Sequence, residues 1–256
     1  MNKYGKWIKF QDLSKKDKIF RVINFVLMIA MLITTIALLI YYVKTGDVHN
    51  RLVTCISMSL LYILPFLIEI IMRRRIQNLF VFCYLIYALV AGLIGSVLYM
   101  YYRVSWFDIV VHTFAGYIFS FAGIFILSRT ENYSKLKPIT VLMFCLFCTL
   151  AIELVWEMSE WFGDLFLGQT AQGEPVPGYK VPFVTDTDLD MLCNLIGGII
   201  FSIQFAIGKY TKYSLGINYI ESELCPKKKD ENEELVNSNE IIDKENSIDE
   251  KESEIN

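Results

Sequence analysis

Three glutamates lie inside one of the most apolar segments of the chain. Glu153, Glu157 and Glu160 follow one another at i, i+4 and i+7 within residues 152–162, so they share one face of a helix. A charged side chain at the centre of a bilayer costs about 2.5–3.5 kcal/mol on insertion scales, so this face is not expected to point at lipid. The glutamates therefore need partners inside the protein.

Two other apolar segments carry polar residues at helical spacing. Asp108 and His112 lie four residues apart in one segment, and Asp186, Asp190 and Asn194 lie four apart in the other. A histidine with several carboxylates is a donor set that suits Zn, Mn or Fe, whereas Mg suits a site in which the histidine does not coordinate. The alternative is that carboxyl groups are protonated in pairs and satisfy one another without a metal.

The residues of this predicted site fall into two roles. Glu153 is the candidate general base. The candidate metal ligands are the polar side chains of all three segments: Asp108, His112, Glu157, Glu160, Asp186, Asp190 and Asn194. The four expected to bind the ion directly are Asp108, His112, Glu157 and Asp190.

The composition is that of a membrane protein. Hydrophobic residues make up 54% of the 256 positions, and the mean hydropathy is +0.42, which is too apolar for an ordinary soluble domain of this size. Six apolar segments reach the length of about 20 residues that a membrane-spanning helix requires. They are Phe20 to Val43, Leu52 to Met72, Leu79 to Tyr102, Phe107 to Ser128, Thr140 to Phe162 and Thr187 to Ile207. The sequence thus predicts an all-α polytopic protein with six transmembrane helices and the lipid bilayer as its main partner, and no nucleic-acid partner is expected.

Basic residues are distributed unevenly between alternate connections. Seven bases lie in the first 21 residues, and the second and fourth connections are also basic, whereas the first, third and fifth carry few bases. The positive-inside rule then places both termini in the cytoplasm. We expect a basic cytoplasmic N-terminus at 1–19, a transmembrane domain at 20–208 and a cytoplasmic tail at 209–256. The tail should be acidic and mostly disordered, because its last part lacks aromatic residues and is rich in charged and polar ones.

The alternating direction of the six helices brings the polar segments together. The fourth and sixth helices begin, and the fifth ends, on the outer side, so the three polar faces should meet in the outer half of the membrane. Gly116 and Gly197 continue two of these faces and should let the helices pack closely. The long loop at 163–186 is a candidate lid. Elsewhere, Glu69 is expected to turn toward the basic run Arg73–Arg75.

Three motifs carry a family resemblance. They are Trp106-Phe-Asp108-x3-His112-x3-Gly116, Glu153-x3-Glu157-x2-Glu160-Trp161 and Asp186-Thr187-x2-Asp190-Met191-x2-Asn194-x2-Gly197. In this order they resemble the pattern of the YjdF-type family of bacterial inner-membrane proteins of unknown function. A looser likeness to the VanZ-like family, associated with glycopeptide resistance, rests on Asp-x3-His, an acidic helix pair and Asp-x3-Asn-x2-Gly. The resemblance implies a location in a bacterial plasma membrane.

Three classes of function are consistent with these patterns. The first is a metal-dependent hydrolase or transferase acting on envelope or lipid-linked substrates. The second is a proton- or cation-coupled transporter, since buried carboxylates also form relays; no inverted repeat accompanies them here. The third is a non-catalytic membrane module whose polar network only holds helices together. No oligomeric state follows from the sequence.

Overall fold

The computed structural model describes residues 13–46, 51–73, 75–169, 171–172 and 183–225, and within them all regular structure is helical. The α-helices are α1 (Lys15–Thr45), α2 (Arg51–Met72), α3 (Asn78–Ala88), α4 (Met100–Arg103), α5 (Phe107–Thr130), α6 (Pro138–Leu167), α7 (Phe183–Tyr210) and α8 (Ile217–Leu224). A π-helical segment (Leu89–Val97) continues α3, and a single 3₁₀ turn (Tyr133–Lys135) precedes α6.

Six of these elements are long and apolar enough to cross a membrane. They are α1, α2, α3 with its π-helical continuation, α5, α6 and α7. The all-α fold and the six predicted spans are therefore confirmed. Helices α5, α6 and α7 pack most extensively against one another, while α1 packs against α2 and α3. The three helices that carry the polar motifs thus form one packed group.

The third span is not the single α-helix that the apolar segment from Leu79 to Tyr102 predicted. The α-helical part ends at Ala88, the π-helical segment runs to Val97, and Tyr99 has a positive φ of 65°. A π-helical turn accommodates an extra residue and widens the helix, which is a frequent feature near functional sites. The ring of Tyr101 packs directly against Gly95, in the space that a Cβ at position 95 would occupy.

Helical structure extends into both segments that are predicted to flank the transmembrane domain. Helix α1 already begins at Lys15, inside the segment predicted as a basic N-terminus. Helix α8 lies inside the predicted tail, and its buried Ile217 and Leu224 pack in a cluster with Phe201 of α7. Residues 1–12 and 226–256 lie outside the described residues, as do 170 and 173–182 of the proposed lid at 163–186. The disorder of the tail and the lid therefore stay predictions.

A buried ion pair joins α1 to α2. The guanidinium of Arg21 donates to both carboxylate oxygens of Glu69, at 2.9 and 2.6 Å, and the Ile76 backbone N–H donates to Glu69 Oε1 at 3.0 Å. Both side chains are almost fully buried, with exposed fractions of 6% and 1%. Glu69 is thus held inside the protein by a partner that the sequence interpretation, which considered only the basic run after α2, did not identify.

Candidate functional site

Helices α5 and α7 approach each other so closely that their backbones touch at two glycines. A Cβ on Gly116 would overlap the carbonyl oxygen of Asn194, and a Cβ on Gly197 would overlap the carbonyl oxygen of Thr113. Only a residue without a side chain fits such a crossing. The predicted close approach at these glycines is confirmed, and it brings the polar faces of α5 and α7 to one place.

The imidazole of His112 lies between the polar faces of α5, α6 and α7. Its Nδ1 is hydrogen-bonded directly to Glu153 Oε1 of α6. Its Nε2 lies 3.2 Å from Asp108 Oδ1, one turn earlier on α5, and 4.0 Å from Asp190 Oδ1 on α7. Each of the three helices therefore contributes at least one carboxylate around a single histidine, as the spacing of the motifs predicted.

Behind the histidine, a chain of hydrogen bonds runs through the interior of the three-helix group. Asn194 Nδ2 donates to Glu153 Oε2 at 2.8 Å, and the hydroxyl of Thr149 donates to Asn194 Oδ1 at 3.2 Å. Both Asn194 and Thr149 are fully buried. The sequence analysis missed Thr149, although its position one turn before Glu153 on the same face of α6 is a usable signal.

Glu157 has a buried oxygen without a partner. The residue is 3% exposed, and its Oε1 finds no hydrogen-bond partner within the described part of the chain. A buried polar atom normally has at least one partner, because leaving it unsatisfied costs about 1–3 kcal/mol and more when the group is charged. A proton or a cation beside this oxygen would satisfy it.

Two groups of three residues within the described chain have potential ligand atoms at metal-binding separation. The first is Asp108, His112 and Asp190, and the second is His112, Glu153 and Glu157; within each group the atoms lie within 4.8 Å of one another. Four carboxyl groups thus surround one imidazole in a largely buried cluster. They cannot all remain bare anions without a compensating cation or proton.

The remaining predicted ligands have different surroundings. Glu160 and Asp186 belong to neither metal-binding group and are partly exposed. Asn194 uses both ends of its amide in the hydrogen-bonded chain to Glu153 and Thr149. The most accessible carboxylate of the two groups is Asp108, whose side chain is 32% exposed.

Tyr101 of α4 is a further polar residue near the site. Burial, reinforced by acidic neighbours that include Asp108, raises the pKa of the Tyr101 hydroxyl well above its usual range. The hydroxyl therefore stays protonated and able to donate a hydrogen bond. The sequence analysis did not identify this residue.

Fold and site together define a polytopic α-helical membrane protein with a carboxylate–imidazole cluster buried between three of its helices. The chain belongs to a family described as predicted membrane protein (DUF2238), whose profile matches residues 26–209. This family is the YjdF-type family predicted from the three motifs, and that prediction is confirmed. The match does not show the looser likeness to VanZ-like proteins. No curated protein and no solved structure is significantly similar to the chain.

Proposed function

We propose that the cluster binds one divalent cation and that the protein is a metal-dependent hydrolase or transferase acting on lipid-linked or other envelope material. The observation that carries this proposal is the gathering of four carboxyl groups around the single buried imidazole of His112. A cation offsets this excess of carboxylates over imidazole. The mixture of one imidazole and several carboxylates suits Zn, Mn or Fe, and Mg where the histidine does not coordinate.

The depth of the site relative to the membrane surface supports a substrate with a lipid anchor. Asp108 lies in the first turn of α5, two residues after Trp106, which is 62% exposed. Trp161, on the part of α6 that follows the glutamates, is 50% exposed. Tryptophan prefers the interface between hydrocarbon and water, so the site lies near the level of lipid head groups. A lipid-linked substrate presents its polar part at this level.

The distribution of bases supports an outward orientation of the site in a bacterial plasma membrane. The bases gather at the opposite ends of the helices, in the segment before α1 and in the α2–α3 and α5–α6 connections. With these in the cytoplasm, both termini are cytoplasmic and the cluster opens to the outside. The bacterial location follows from the resemblance carried by the motifs.

The hydrogen bonds divide the catalytic roles differently from the sequence interpretation. Glu153 was the expected general base, but both of its carboxylate oxygens accept or share hydrogen bonds with His112 and Asn194. Glu157 has a free oxygen and is therefore the better-placed proton acceptor. In hydrolysis Glu157 would accept the proton of the attacking water, and a cation held by the cluster would supply Lewis-acid polarisation of the bond to be broken.

We expect purified wild-type protein to contain about one divalent metal ion per chain. His112→Ala and Asp190→Ala should lose it, because each removes a donor around which the other ligands converge. Elemental analysis of protein purified without added metal measures this directly. Ser202→Ala, on the same helix as Asp190 but bonded only to the Gly198 carbonyl, is the matched control. A wild type without metal, or a His112→Ala protein with unchanged metal content, contradicts the proposal.

A proton- or cation-coupled transporter is the second candidate. The observation that favours it is the series of titratable groups Glu153, His112 and Asp108, each within reach of the next, because buried carboxylates and histidines form proton relays. A transporter should move protons or divalent cations across proteoliposomes, and Glu153→Gln should stop this flux. Absence of flux from a protein that retains its bound metal favours the enzyme.

A further inference from the structure

We infer that the cation binds on the Nε2 side of His112, between Asp108 and Asp190, and that Glu153, Asn194 and Thr149 are positioning residues that hold the imidazole in this orientation. The assignment presupposes the cation site proposed above and selects one of its two candidate ligand groups. It removes Glu153 from the expected base role, and it removes Asn194 and Glu157 from the expected ligands.

The two ligand groups compete for one histidine. A neutral imidazole has one nitrogen that donates a hydrogen bond and one that carries a free lone pair. The direct hydrogen bond between Nδ1 and Glu153 leaves no space for an ion between these two atoms. An ionised Glu153 can only accept, so with this carboxylate charged the shared proton belongs to Nδ1. The lone pair is then on Nε2, which faces Asp108 and Asp190. Metal-binding histidines usually donate their other N–H to a carboxylate in this way.

The residues behind Glu153 fix its orientation. A carboxylate only accepts hydrogen bonds, so Asn194 must turn its NH₂ group toward Glu153 Oε2. Its carbonyl oxygen then points the other way and accepts the hydroxyl of Thr149. All three side chains are at least 97% buried, so water does not compete for these bonds. The backbone contact between Gly116 and Asn194 keeps α5 and α7 at the separation that these hydrogen bonds require.

The same arrangement gives Asp108 and Glu157 different roles. Asp108 is partly exposed, so an ion beside it has a side that remains open to a substrate. Glu157 belongs to the other ligand group, and its unpartnered oxygen remains available for a proton.

Zinc affinity of the full-length protein tests this assignment. We expect Asp108→Asn to lose high-affinity Zn²⁺ binding, and Glu157→Gln to stay within a factor of about three of wild type. Substitutions of partners behind a ligand typically weaken metal affinity by about 10–100-fold, and Glu153→Gln should fall in this range. Retained binding in Asp108→Asn together with lost binding in Glu157→Gln overturns the assignment, because the ion then uses the other group.

Thr149 supplies a matched pair of variants. Thr149→Val removes the hydroxyl but keeps the shape of the side chain, and it should weaken Zn²⁺ binding several-fold. Thr149→Ser keeps the hydroxyl and should bind like wild type. Thermal unfolding of both variants without metal separates positioning from stability. If Thr149→Val and wild type bind Zn²⁺ with equal affinity, the hydrogen bond from Thr149 does not help to position His112.

Nitrogen NMR gives a readout that a purely structural role does not change. The chain has two histidines, so a His49→Gln protein with ¹⁵N-labelled histidine reports on His112 alone. On addition of Zn²⁺ we expect the Nε2 resonance to shift and Nδ1 to remain protonated. A metal-bound Nδ1 overturns the assignment but leaves the proposed cation site standing. Absence of any Zn²⁺ binding by the wild type contradicts the proposed function itself.

Discussion

Glu69→Gln should lower the free energy of unfolding by about 3–5 kcal/mol. The substitution leaves the Arg21 guanidinium, which is almost fully buried, without its compensating charge, and breaking a buried pair on one side has a cost of this order. The loss is measurable by equilibrium unfolding in mixed micelles as the fraction of denaturing detergent increases. A loss below about 1 kcal/mol shows that the charge of Glu69 does not hold α1 to α2.

The control for this prediction replaces both partners. Arg21→Met combined with Glu69→Leu removes both charges together and fills the space with apolar atoms. Because the isolated charge is the main cost, the double variant should recover most of the stability lost by Glu69→Gln. An equally unstable double variant indicates that packing, rather than the unpaired charge, causes the loss.

Gly197→Ala should have the second largest effect, a destabilisation of about 3 kcal/mol, at the upper end of the range for overpacking. The added methyl group overlaps the carbonyl oxygen of Thr113, which is backbone and cannot rotate away. Helix α7 must then move from α5, so bound metal should be lost as well. Thermal unfolding and metal content of the same preparation measure both effects.

Gly198→Ala is the matched control for the close approach. The same change one position further along meets side-chain methyl groups of Leu146 and Thr149, which can shift by a few tenths of an ångström. The destabilisation should therefore be clearly smaller. Equal losses in Gly197→Ala and Gly198→Ala contradict a specific requirement for glycine at the α5–α7 contact.

Much of the site could be predicted from the sequence because charge in an apolar segment is a strong constraint. The spacing of Asp108 and His112, of the glutamates on α6, and of Asp190 and Asn194 each define one helix face. The alternating direction of membrane-spanning helices then determines which faces lie at the same level. The two glycines strengthen the prediction, because small residues favour close contact between helices.

The roles within the site could not be predicted in the same way. Glu153 and Glu157 are the same residue type on the same face, and only the positions of their neighbours distinguish them. Glu153 has two hydrogen-bond partners from two other helices, whereas Glu157 has an oxygen without one. Thr149 is uncharged and common in apolar helices, so its type alone does not indicate a function.

The other differences arise from contacts between distant parts of the chain. Arg21 lies 48 residues before Glu69, and sequence proximity favoured the nearer basic run and did not reveal Arg21. Helix α8 is short, and burial of Ile217 and Leu224 against the bundle, rather than helix propensity, stabilises it. The π-helical segment after α3 has an apolar composition that does not distinguish it from an ordinary α-helix.

Anomalous diffraction at the zinc edge, from crystals of the wild-type protein soaked in Zn²⁺, tests the central claim most directly. The expected result is one peak in the cluster, bordered by Asp108, His112 Nε2 and Asp190. A well-ordered cluster without an anomalous peak, in which the carboxyl groups are hydrogen-bonded to one another, would contradict it.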